Sequence, residues 1–150
     1  MNINNLFQNA VITRLAGAVS AGTDGAFVTS LAEIDTRGYT GIAIVAQLGT
    51  VTSGGVFTLR AKNSSTSATY GAGTVDRIAQ AALTDGTSKF VALDINRPKR
   101  RYIRAEYQRT VANVAIEAVY VILYNAELNP VTQSDLAALA TVNDPTPLTA

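Results

Sequence analysis

Residues 100–124 read RRYIRAEYQRTVANVAIEAVYVILY. In the first half, Ile103, Ala105 and Tyr107 alternate with Tyr102, Arg104, Glu106 and Gln108. Side chains of a strand point to opposite faces in turn, so this segment has one apolar face and one polar face. A short Thr/Val/Ala/Asn stretch follows. The second half, residues 118–123, is apolar at every position. Such a run marks a central strand, or one whose outer face meets another subunit. Left bare on a monomer, that outer face would invite aggregation. The two halves predict an antiparallel hairpin.

The same reading extends outward. Residues 41–48 (GIAIVAQL) place Ile42, Ile44, Ala46 and Leu48 on one face and the smaller Ala43, Val45 and Gln47 on the other. After a glycine-rich turn, residues 56–62 (VFTLRAK) place Phe57, Leu59 and Ala61 inward and Thr58, Arg60 and Lys62 outward. These two runs also predict a hairpin. Residues 89–95 form a further strand with Val91, Leu93 and Ile95 on one face, and residues 9–14 form a short first strand. Residues 75–82 fit either one helical turn or an edge strand. Residues 63–73, rich in Ser, Thr, Ala and Gly, read as a long polar loop, mobile or held by a partner.

The expected fold is mainly β: a single-domain β-sandwich, jelly-roll-like, with six to eight short strands. Its core spans about residues 9–125. Residues 1–8 read as an extended N-terminal arm. Residues 126–150 read as a C-terminal tail in which Ser134 caps a short helix over residues 135–140. No secretory leader is expected in residues 1–13. The longest apolar run, residues 118–124, is too short to cross a bilayer.

Composition narrows the chemistry. The 150 residues are 47% hydrophobic and only 15% charged, against about 25% charged in ordinary domains. Little charged surface is available, which favours a protein that covers itself with partners. Twelve basic residues face eleven acidic ones, and the net charge of +1 weighs against a nucleic-acid binder. There is no cysteine and no histidine. The usual Ser-His-Asp and Cys-His nucleophile systems are excluded, as are histidine- and thiolate-ligated metal sites. No phosphate-binding loop motif occurs. Glu33 and Asp35 would share a strand face, yet they read as solvated residues before a turn rather than a glycosidase pair. Asp24 and Asp85 each precede a glycine and read as turn formers. No catalytic residue, cofactor or metal is expected.

One charged feature stands out. Arg97, Lys99, Arg100, Arg101, Arg104 and Arg109 supply six of the twelve cations, with Tyr102 and Tyr107 between them and Glu106 opposing them. Three readings are open: a nucleic-acid site, an acidic-protein docking surface suited to arginine forks, or a solvated turn balanced by nearby acids.

The pattern GYTG at residues 38–41, the run 42–62, the strand 90–95, RPKRRYIR at residues 97–104 and AIEAVYVILY at residues 115–124 is similar to the capsid decoration, or cement, proteins of tailed bacteriophages. The resemblance covers residues 38–125. It implies a β-sandwich without catalysis that self-associates as a dimer or trimer on the outer capsid surface of the virion. There it would bind major capsid protein and stabilise the shell. On this reading Arg97, Lys99, Arg100, Arg101 and Arg104 dock acidic capsid surface, and Val119, Val121 and Leu123 supply the apolar self-association surface. The alternatives are another virion component, such as a tail, fibre or connector part, and a non-enzymatic ligand-binding β module.

Overall fold

A computed structural model describes residues 9–73 and 76–127. The arm, most of the tail and the expected helix at residues 135–140 lie outside the described residues. Nine strands form among the described residues: β1 (Val11–Ala16), β2 (Val19–Gly22), β3 (Glu33–Asp35), β4 (Tyr39–Val51), β5 (Val56–Ser64), β6 (Arg77–Thr84), β7 (Phe90–Asn96), β8 (Tyr102–Thr110) and β9 (Val114–Ala126). They make two antiparallel sheets. The first runs β1-β9-β4-β7, with β2 also on β9, and the second runs β3-β8-β5-β6.

The sandwich follows from the alternation. Ile42, Ile44, Ala46 and Leu48 of β4 are buried together with Val91 and Leu93 of β7 and Val119 and Val121 of β9. Phe57, Leu59 and Ala61 of β5 and Ile103, Ala105 and Tyr107 of β8 face them from the second sheet. Phe57 stacks on Tyr107 with ring centroids 6.0 Å apart. Burying each large side chain stabilises the fold by about 1.5–3 kcal/mol. Residues 75–82 fall largely in the edge strand β6, not a helical turn.

Two expected hairpins do not form. β4 lies in the first sheet and β5 in the second, and β8 and β9 are divided in the same way. Each pair has one strongly apolar face. Two such strands can bury those faces by packing across the core as well as by lying side by side. The connections at 52–55, four residues, and 111–113, three residues, carry the chain from one sheet to the other. β9 is therefore central, flanked by β1, β2 and β4.

The β8–β9 connection carries strain. Val111 has φ 69°, a left-handed backbone that a β-branched residue rarely adopts. Its side chain is 80% exposed, so packing does not repay the conformation. Val111→Asn should raise stability by about 1 kcal/mol, because asparagine tolerates the left-handed region. Urea unfolding checks this, and a loss of stability would contradict the strained assignment.

Candidate functional site

The two outer faces of the sandwich differ. On the second sheet, Arg60 lies opposite Glu106, and Lys62 lies opposite Arg104. These side chains point away from the core, yet Arg60, Lys62 and Glu106 are buried. Glu106 is 0% exposed. Its Oε2 accepts from Arg60 Nε at 2.6 Å, and its Oε1 accepts from Arg104. Arg60 also sits 3.5 Å from the ring centroid of Phe27, and Arg104 sits 4.4 Å from that of Tyr70. Both are cation–π contacts.

The roof of this network is the chain itself. The β5–β6 connection crosses the outer face of β5 and β8 and reaches β3. There Ser67 Oγ, the Ala68 amide and the Tyr70 hydroxyl donate to Glu33. Lys62 Nζ donates to the Gly71 carbonyl, and Arg100 pairs with Asp76 at 2.6 Å. The polar stretch at 63–73 is thus held by its own sheet. Those donors hold the Glu33 carboxyl below the usual carboxylate range, and burial, followed by the hydrogen bond to Glu33, pushes the Tyr70 hydroxyl up. Burial lowers the Lys62 ammonium, with Arg60 and Arg104 adding to the effect and Glu106 opposing it.

The basic segment is largely engaged within the molecule. Arg101 forms a bidentate pair with Asp35, and Arg109 forms one with Asp24 while also donating to the Ser20 and Val114 carbonyls. Arg104 belongs to the Glu106 network. This corrects the expectation that Arg104 is part of a free docking surface. Arg97 and Lys99 are exposed, with no side-chain partner among the described residues. They share one end of the sandwich with Arg37, because the Arg97 amide bonds the Thr40 carbonyl and the Thr36 amide bonds the Arg101 carbonyl. Glu33 and Asp35 share β3, but each is held by its own donors.

The outer face of the first sheet is different. Two rows cross it in register: Ile12, Ile122, Ala43 and Asp94, then Arg14, Tyr120, Val45 and Ala92. Tyr124 lies against Gly41, where an added Cβ would fall 2.0 Å from the ring, and its hydroxyl donates to Asp94. Phe90, 63% exposed, lies at one end of β7. The face is apolar at its centre. Val119, Val121 and Leu123 do not contribute to it. Val119 and Val121 belong to the core, and Leu123 packs against it. The expected self-association residues therefore face the core, since a one-position change of phase sends every side chain to the other face. Between residues 119 and 124 the outward residues of β9 are Tyr120, Ile122 and Tyr124, and the exposed Glu117 lies beyond them, beside Gly49.

No protein-family model matches the chain, and no curated protein matches it in sequence. Three solved structures resemble it in shape. A protein of the Bacillus endospore appendages, described as a family of disulfide-linked pili, is 14% identical, with 79% of this chain and 90% of that chain covered and a TM-score of 0.42. A chain of infectious bursal disease virus, Gt strain, is 14% identical, with 77% and 32% covered and a TM-score of 0.47. Eiger TNF from S. frugiperda is 11% identical, with 93% and 98% covered and a TM-score of 0.45. At these values none of the three informs function.

Two outcomes follow from the ionic face. Glu106→Gln leaves Arg60 and Arg104 without a buried counter-charge and should cost about 3–5 kcal/mol, read by urea unfolding. Asp24, Glu33, Asp35 and Asp76 are all held below their ordinary values, by hydrogen bonds to Arg109, Ser67, Arg101 and the Gly71 amide respectively in the first place. Near and below pH 4 the unfolded chain therefore binds more protons than the folded one. The stabilisation from these four groups is complete above about pH 5 and is lost as pH falls through their lowered values. Melting temperatures at pH 7 and pH 3 check the sign, and equal values would contradict it.

Proposed function

We propose that the chain is a structural protein of a phage virion that binds the outside of the head and cements major capsid protein subunits, working by surface burial and not by catalysis. One observation carries the reading: ionic groups are buried on one face, while the opposite face is apolar at its centre, with Arg14 and Asp94 at its margins. The Arg60, Arg104 and Glu106 network lies covered on the second sheet. Ile12, Val45, Tyr120, Ile122 and Phe90 lie on the outer side of the first. A contiguous apolar patch on a β-sheet marks an interaction surface. The resemblance of RPKRRYIR at residues 97–104 to the cement proteins supplies the specific partner.

In this reading the exposed Arg97 and Lys99, with Arg37 at the same end, meet acidic capsid surface. Arg100 and Arg101 shape that end through their pairs with Asp76 and Asp35. Many copies on one shell would multiply individually weak contacts.

The test is occupancy on expanded heads stripped of the protein. Arg97→Glu combined with Lys99→Glu should lower occupancy at least tenfold at physiological salt, while circular dichroism stays unchanged. Unchanged occupancy removes this end from the contact. Cryo-electron microscopy of the virion decides the larger question. Density over joints between capsid subunits supports the cement role, and density confined to the tail or its connector overturns it.

A further inference from the structure

The two flanks of the sandwich are built differently. On one flank the edges are irregular: β1 and β2 both shift register against β9, and β3 is only three residues long. Bulges and short strands are the means by which edges avoid pairing with other chains. On the opposite flank the edges are β6, which shifts register once against β5, and β7. β7 pairs with β4 through seven consecutive positions without a shift. Within Phe90–Asn96 there is no proline or lysine, and Asp94 is the sole charge. β7 thus has neither a bulge nor a proline, and Asp94 is its one protecting charge.

The free backbone groups can be assigned. The Leu48 amide bonds the Lys89 carbonyl, and the Arg97 amide bonds the Thr40 carbonyl. Both bonds link β4 to odd-numbered positions of the β7 side. With the register unbroken, Val91, Leu93 and Ile95 also direct their backbone groups to β4. Phe90, Ala92, Asp94 and Asn96 direct theirs outward, where no described strand takes them. Of the three large apolar side chains exposed among the described residues, two lie on this flank: Phe90 on β7 and Ile78 on β6.

We infer that β7 is the self-association edge, and that two copies of this chain join antiparallel through it into one continuous sheet. The strand is complementary to itself. With the two-fold axis at Leu93, Ala92 lies opposite Asp94 of the second copy, and Phe90 lies opposite Asn96. Those are the positions whose N–H and C=O groups point outward, so each pair can exchange two hydrogen bonds. On the core side, Val91 meets Ile95 and Leu93 meets Leu93, which extends the apolar layer. No like charges face each other. The inference stands apart from the capsid reading, since it needs only a second copy of the chain.

Solution mass by light scattering behind size exclusion is the measurement. The wild-type chain should run at twice its 15.7 kDa mass, and the amides of Ala92 and Asp94 should exchange slowly with solvent. Ala92→Pro removes one outward donor at a position where an edge strand tolerates proline. It should yield a monomer with an unchanged circular dichroism spectrum. Should that variant not fold, Ala92→Asp serves instead: its exposed side chain places a carboxylate opposite Asp94 of the second copy and should also give a monomer. A wild-type monomer at millimolar concentration, a trimer, or a dimer that survives a folded Ala92 variant overturns the inference. Binding to phage heads does not enter the readout, so a failed cement role and a failed dimer edge remain distinguishable.

Discussion

Glu106 has no access to solvent, and one whole face of the molecule is arranged around that fact. An ion buried in a protein interior carries a penalty of several kcal/mol unless it is paired and hydrogen-bonded. Arg60 and Arg104 answer it, one on each oxygen. They bring more positive charge than Glu106 can balance, and Lys62 adds to the excess. The loops meet that excess. Phe27 lies on Arg60, Tyr70 lies on Arg104, and the Gly71 carbonyl takes Lys62. The network seats the loops, and the seated loops keep water from the network.

A chain with so few charges shows the consequence elsewhere. Asp24 and Arg109 close a second internal pair, and that arginine also reaches the Ser20 and Val114 carbonyls of the first sheet. It ties the two sheets together at one end. With these ions turned inward, the centre of the outer side of β4 and β9 is left to Ala43, Val45, Tyr120 and Ile122. The low charged fraction of the sequence is therefore concentrated in particular places.

Alternation makes much of this legible in the sequence alone. The inward faces of β4, β5, β7 and β8 follow directly from the two-residue period. The inward position of Val119, Val121 and Leu123 is not legible in the sequence, because residues 118–123 are apolar throughout and a uniform run carries no phase. Phase comes only from the partner: Val121 lies opposite Ile44, which is already inward. The hairpins failed for a related reason. Short connections join β4 to β5 and β8 to β9, but nothing local distinguishes a turn within a sheet from a step across the core. The Glu106 network was invisible because Arg60 and Lys62 meet Glu106 and Arg104 from strands more than forty residues apart in sequence. The polar loop at 63–73 gave no sign that Tyr70 would reach Glu33, since a tyrosine in a Ser/Thr-rich stretch has no periodicity to read.

The shape of the open face limits how it can bind. Its central residues are small, Ala43, Val45 and Ala92, so the surface offers no deep pocket for an anchor side chain. Strong interfaces concentrate energy in buried aromatic or arginine hot spots. Here the aromatics at hand are Tyr120, Phe90 and Tyr124, and Tyr124 is already fixed by Gly41 and Asp94. A side chain held in place before contact loses less conformational freedom on binding. Such a face suits a broad, shallow contact with a few preset aromatic points. Single contacts of that kind are weak, and they gain strength where the partner surface repeats and two copies are joined through one rigid sheet, because the second contact then forms at high effective concentration.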